Sequence, residues 1–268
     1  VNVWGFDVRP PSLDRRAAAF LLARGFSGRR DRAVFERTIR RGDHVVDVGA
    51  NQGLFTLLFS RLVGDAGRVL ALEPEPRLFD ALVENCRRNG ARNVSPRRLA
   101  AGERNADGVL RCSPFNRGDN RMTGGVLLGS AVSVPVVPLD EIVRGERVDF
   151  VKIDVQGYEM HVFRGMRATL DANPGIRVYF EYWPDGLTRA GSPGLEPLLF
   201  LADRGFHLLE EGPSGARPVR PEEVALGTGS GHFSYRNLLA TRQDPGTTKA
   251  APSAGPAEPG PTAPSRES

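Results

Sequence analysis

The chain has 268 residues and a formal net charge of +4, with 40% hydrophobic and 25% charged side chains. That balance suits a soluble globular protein of one large α/β domain or two small ones, and no stretch reaches the ~20 apolar residues of a membrane span. The opening residues lack a secretory signal's charged-then-apolar pattern, and Cys86 and Cys112 show no metal-ligand spacing, so free thiols and a cytoplasmic location are expected.

Residues 1–11, with Trp4, Pro10 and Pro11, read as an irregular lead-in. Ser12 can cap a helix that runs to about Arg24 and stops at Gly25. A second helix, at about 30–40, turns Val34, Phe35 and Ile39 inward, and the pair is expected to cover the cofactor site or the sheet edge. Residues 15–41 carry nine arginines against Asp31 and Glu36. A basic face attracts anionic partners. No aromatic residues alternate with these arginines as a single-strand platform requires, so a solvated surface is expected and no nucleic-acid partner.

The run Val45, Val46, Val48 predicts a strand at 44–48 buried on both faces, as in a helix-covered parallel sheet. It breaks into Gly49-Ala50-Asn51-Gln52-Gly53, and Leu54, Phe55, Leu57, Leu58 and Leu62 then recur at helical spacing. Strand, glycine loop and helix make the first half of a nucleotide-type site: the loop backbone approaches a ligand closely, and the helix start offers N–H groups. The glycine pattern is not the dinucleotide G-x-G-x-x-G. Asp47 stands in the strand end, placed to accept from a ligand ammonium or to orient the loop. A second strand, 68–73, ends in Glu73, where a carboxylate accepts from both ribose hydroxyls. Together, loop and acid resemble the S-adenosylmethionine (SAM) site of class I methyltransferases.

Pro74 and Pro76 open a helix to about Asn89, and a short strand follows near 93–100. Residues 102–137 interrupt the alternation as a β insertion, with strands at 109–112 and 132–136 and a polar, donor-rich loop at 116–125. A short helix starts at Pro138. Strand four, 148–153, runs into Asp154, and a turn leads to a helix from Glu159 to about Leu170. Strand five, 176–181, ends at Glu181, ahead of Tyr182 and Trp183, for which core packing is the usual fate. A helix near 195–204 precedes two closing antiparallel strands, 206–210 and 233–239. From about Thr241 the sequence loses apolar periodicity and is expected to be a disordered tail. The domain plan is therefore a lead-in (1–41), a catalytic domain (42–240) and the tail (241–268).

Four stretches together resemble the FkbM family of SAM-dependent methyltransferases: Asp47-Val-Gly-Ala-Asn-Gln-Gly53, Leu72-Glu-Pro-Glu-Pro76, Val137-Pro-Leu-Asp-Glu-Ile142 and Val151-Lys-Ile-Asp-Val-Gln-Gly-Tyr-Glu159. The resemblance covers about residues 40–183. It implies a doubly wound, mostly parallel seven-stranded sheet with its last strand antiparallel, and O-methylation, often of sugar hydroxyls in glycans or natural products. A catalytically degenerate SAM-binding module and, behind it, a nucleic-acid methyltransferase are the alternatives. The cofactor set is Asp47, Gly49, Ala50, Asn51 and Gly53 for the methionine part, Glu73 for ribose, Leu99 and Ala100 beside adenine, with Pro74 and Asp154 completing it. For base or acceptor orientation the order is Asp154, then Glu181 and Glu159, with Glu159 equally readable as a helix N-terminal acid. If a metal such as Mg²⁺ takes part, Asp154 and Glu181 are its ligands. His161 is a further candidate base, with a surface position expected. The family usually reads Asp-x-Glu-Gly where this chain has Gln156, which cannot ionise. The acceptor is expected to be a small molecule or glycan.

Overall fold

The computed structural model describes residues 1–11, 25, 28–112, 120–122, 130–212, 215–228 and 234–243. In chain order the first elements are β1 (Asn2–Val3), β2 (Phe6–Asp7), α1 (Arg29–Thr38), β3 (His44–Val48), α2 (Leu54–Val63), β4 (Arg68–Leu72), α3 (Pro76–Arg88) and β5 (Val94–Arg97). The insertion supplies β6 (Ala100–Gly102), β7 (Ala106–Arg111) and β8 (Ala131–Pro138), followed by α4 (Leu139–Val143) and β9 (Phe150–Ile153). Then come α5 (Glu159–Arg164), α6 (Arg167–Ala172), β10 (Arg177–Tyr182), α7 (Pro184–Arg189), α8 (Glu196–Ala202), β11 (His207–Gly212), β12 (Gly215–Val219), α9 (Pro221–Gly227) and β13 (Arg236–Thr241).

The main sheet has the order β12-β11-β13-β10-β9-β3-β4-β5. β10, β9, β3, β4 and β5 pair in parallel, while β13 runs antiparallel to both β10 and β11. The expected seven strands are all present, and β12 adds an eighth through a hairpin with β11. Apolar runs make central strands because both faces are covered. On one face Val45, Val69, Ala71, Phe150 and Tyr179 meet Val34, Phe35, Leu57, Leu58 and Leu82 of α1–α3. On the other, Val46, Val48, Val151, Ile153 and Phe180 meet Met160, Phe163, Leu170 and Leu198. Phe35 has no exposed surface, and its ring lies 4.8–5.8 Å from those of Phe55, Phe59, Phe150 and Tyr179.

Several expectations need correction. The lead-in is not irregular: β1 and β2 form a hairpin, and Val3, Phe6 and Val8 join the α1–α3 core. The second helix is present and covers the sheet face, while the first lies outside the described residues. The strand expected at 93–100 is two strands. Beyond Arg97 the chain leaves β4, and Ala100 pairs with Val136 of β8 in a separate three-stranded sheet. The helix expected from Glu159 to Leu170 breaks between α5 and α6. There Gly165 backs onto the insertion so closely that a Cβ would lie 1.8 Å from the Gly102 carbonyl oxygen. β13 reaches Thr241, and the Arg242 guanidinium lies over the Phe206 ring and donates to Leu170 and Arg204 carbonyls, so residues 241 and 242 belong to the packed fold. Residues 244–268 and most of the loop at 116–125 lie outside the described residues. Cys86 and Cys112 are both buried.

Candidate functional site at the carboxyl ends of the central strands

β3, β4, β9 and β10 all end toward one edge of the sheet, the edge where α/β folds hold ligands. The loop after β3 is pinned there from several sides. Gly49 and Ala50 donate their N–H groups to the Leu72 carbonyl, and Asn85 of α3 donates to the Gln52 carbonyl. Gly49, Asn51 and Gly53 have φ of 79°, 54° and 91°. Gly49 also lies against β9, where a Cβ would sit 2.1 Å from the Asp154 carbonyl oxygen. Only glycine satisfies both the left-handed backbone and that approach.

Asp47 is fully buried beneath this loop, and its contacts suit the second of its two expected roles, orienting the loop. Its Oδ2 accepts from the Thr56 hydroxyl at 2.6 Å, and its Oδ1 lies 3.1 Å from Lys152 Nζ. Lys152, only 4% exposed, also donates to the Gly49 carbonyl at 2.9 Å and stands 3.9 Å from Asp154 Oδ2. No site role was expected of Lys152. The signal was a lone charge in the apolar run Val151-Lys152-Ile153, directly opposite Asp47 in the β3–β9 register.

Glu73 follows β4 and closes the loop from the other side. Its Oε2 accepts from the Asn51 N–H at 2.8 Å and its Oε1 from the Glu75 N–H at 2.9 Å. Burial pushes its carboxyl up to about 7, against the pull of those two N–H groups. Each carboxylate oxygen has a second lone pair, so the group suits a diol that donates twice. With the close-packed glycine loop it makes the corner where a ribose was expected. Leu99 and Ala100 follow the end of β5, whose last residue, Arg97, accepts from the Glu73 N–H through its carbonyl. Ala100 opens β6, and Leu99 lines a cavity of about 530 Å³ on the second sheet face with His44, Arg68 and Ile142.

The expected catalytic acids divide. Asp154, after β9, and Glu181, in β10, are both partly exposed and meet at one atom: Gln156 Nε2 donates to Asp154 Oδ1 at 2.8 Å and to Glu181 Oε2 at 2.9 Å. Glu159 does not join them. It is fully buried, and its Oε1 accepts from the Val155 and Gly157 N–H groups, so it braces the turn that carries Gln156. Burial pushes its carboxyl up to about 7. His161 is partly exposed, on the helix after the turn. It stacks on Tyr158 with ring centroids 4.2 Å apart, and its Nε2 lies 3.1 Å from the Ala190 carbonyl. Tyr182 and Trp183 are buried, as core packing requires. The guanidinium of Arg121, from the insertion, and that of Arg189 lie 4.6 and 5.6 Å from the Trp183 ring.

A divalent ion does not suit the Asp154–Glu181 pair, because an amide nitrogen that donates to both carboxylates stands between them. Among the described residues no three His, Cys, Asp or Glu side chains are grouped to hold a metal. No described helix is long and apolar enough to cross a membrane.

Residues 47–208 match the family described as the methyltransferase FkbM domain. Methyltransferase sdnD of Sordaria araneosa is 29% identical over 205 residues, which take in 62% of this chain and 74% of that protein. Hexuronic acid methyltransferase AglP of Haloferax volcanii is 30% identical over 133 residues, 48% of this chain and 52% of its own length. A solved SAM-dependent methyltransferase from Aquifex aeolicus aligns at 16% identity with a TM-score of 0.46, covering 87% of this chain and all of that one.

Proposed function

The chain belongs to the FkbM methyltransferase family, with SAM as its methyl donor, and from that premise we propose that it methylates a hydroxyl oxygen of a sugar, glycan or natural product. An acidic sugar is the first candidate. The observation that carries this reading is the pairing of Asp154 and Glu181 beside the cofactor loop, with the Asp154 carbonyl packed against Gly49.

SAM supplies an activated methyl group, so the protein's task is alignment and proton handling. The loop 49–53 and Glu73 hold the donor, and the Asp47–Lys152 pair fixes the loop from below. The Asp154 carboxylate orients the acceptor hydroxyl and takes its proton as the new C–O bond forms. Alcohols lose that proton late, so a placed base is worth about 10²–10⁴-fold in rate. Glu181 and Gln156 keep Asp154 in place. The uronic acid candidate is supported by Arg121 and Arg189, two cations where the insertion meets the end of β10, and by the likeness to the hexuronic acid methyltransferase AglP.

The test is methyl transfer from isotopically labelled SAM to panels of uronic acids, neutral sugars and hydroxylated natural products, read by mass spectrometry. The expected result is an O-methyl product that wild-type protein forms at least about a hundredfold faster than Asp154→Asn, at equal SAM affinity. Equal rates in the two proteins, or methylation of nitrogen or carbon, would overturn the proposal. Binding of SAM with no transfer to any acceptor would favour the non-catalytic module.

A further inference from the structure

Gln156 is held in an unusual way. Its φ is 56°, in the left-handed region that side-chain-bearing residues rarely enter, and the flanking Val155 and Gly157 N–H groups are both clamped by Glu159. This backbone delivers one amide nitrogen to two carboxylates, from residues two and twenty-five positions away in sequence. A primary amide nitrogen has two N–H bonds and no available lone pair. One N–H serves Asp154 and the other serves Glu181. The reverse orientation would set the amide oxygen against two carboxylate oxygens, so chemistry fixes which end of the amide faces them.

Two carboxylates at one centre repel unless something between them is positive or donates hydrogen bonds. A divalent cation meets that need with oxygen ligands at about 2.0–2.6 Å. Here the amide nitrogen occupies that central position with hydrogen-bond geometry. We propose that Gln156 is a positioning residue that stands in for a divalent cation, holding the Asp154 and Glu181 carboxylates together without a metal. Its carboxylate isostere would turn the same three positions into a cation site. Gln156 sets what the site can bind: an acceptor hydroxyl meets hydrogen-bonded carboxylates and no Lewis acid. The functional meaning rests on the methyl-transfer reading above, but the binding chemistry does not.

The experiment is a Mn²⁺ titration followed by electron paramagnetic resonance, with no acceptor present. It compares wild type, Asp154→Asn, Gln156→Glu and Gln156→Glu/Asp154→Asn. The expected result is that Asp154→Asn leaves the weak Mn²⁺ binding of the wild type unchanged. Gln156→Glu gains a site at least tenfold tighter, and adding Asp154→Asn removes it. Mn²⁺ should also raise the melting temperature of Gln156→Glu and not that of the wild type. A Gln156→Glu chain that folds only with Mn²⁺ supports the proposal in the same way. Mn²⁺ binding by wild type that Asp154→Asn abolishes would overturn it, whether or not Gln156→Glu folds. A folded Gln156→Glu with no gain in Mn²⁺ affinity would also overturn it. Either failure leaves the methyl-transfer reading untouched, since that is decided by product formation.

Discussion

Asp47 and Lys152 form an ion pair with almost no contact with water, and its energetics differ from those of surface pairs such as Arg32–Glu36. Removing one partner of a buried pair leaves an uncompensated charge, at a cost of about 3–5 kcal/mol, whereas replacing both with apolar groups is often neutral. Lys152→Met is therefore expected to lower unfolding free energy by about 3–5 kcal/mol in a denaturant titration, and Asp47→Leu/Lys152→Met to recover part of that loss. A double variant no more stable than Lys152→Met would mean the lysine acts through the Gly49 carbonyl alone. Glu73 should show itself through pH. Below about 7 its carboxyl carries a proton and offers one acceptor fewer; above that value both oxygens accept. SAM affinity is expected to rise as pH increases through about 7, and Glu73→Gln should flatten the curve. The place of Glu73 at the end of β4 was legible in the sequence because the apolar run 68–72 stops there. Lys152 was equally visible but needed the β3–β9 register to give it a partner. The bridge made by Gln156 joins carboxylates on two strands, and no local pattern announces such a contact.

The loop after β3 and helix α1 show how elements hold the site. Gly49 leaves no room for a methyl group beside the Asp154 carbonyl. Gly49→Ala is expected to displace the loop from β9 and weaken SAM binding at least tenfold, while more distant elements keep their helical circular dichroism. Unchanged SAM affinity in Gly49→Ala would detach the loop from the cofactor. α1 acts through Phe35, whose ring sits among Phe55, Phe59, Phe150 and Tyr179. Phe35→Ala should cost about 3–5 kcal/mol in chemical denaturation. α1 also reaches β10 and β13, since Asp31 accepts from the Tyr179 hydroxyl and from Asn237. The central strands and α1–α3 were readable because runs such as Val45–Val48 and spacings such as Leu54, Leu57 and Leu58 report burial directly. β1 and β2 were not, because two residues display no period, nor was β12, whose Gly-Ala-Arg-Pro-Val has no apolar run. The break between α5 and α6 falls at Gly165, which the sequence displays, whereas its packing against Gly102 is a long-range contact with the insertion.

At the scale of the molecule, the order of the main sheet places Asp154, Glu181, Glu73 and the glycine loop along one edge. The alternation of strands and helices announced this arrangement, and the antiparallel closing pair was legible too, while the separate sheet of β6–β8 depends on long-range pairing. Burying acids around the site affects stability. Glu73 and Glu159 both have folded-state carboxyls raised from 4.5 to about 7. The folded chain therefore holds protons that the unfolded chain releases, and stability declines as pH rises from about 4.5 to about 7. The melting temperature should fall across that window through these two groups, and Glu159→Gln should reduce the slope. The most direct measurement is a calorimetric titration of SAM into wild type and Glu73→Ala at a pH above 7. The site described here predicts saturable binding by the wild type and at least tenfold weaker binding by a folded Glu73→Ala, a loss of about 1.4 kcal/mol or more. Equal affinity in the two proteins would place the cofactor away from the β3–β4 corner and contradict the assignment on which the catalytic reading depends.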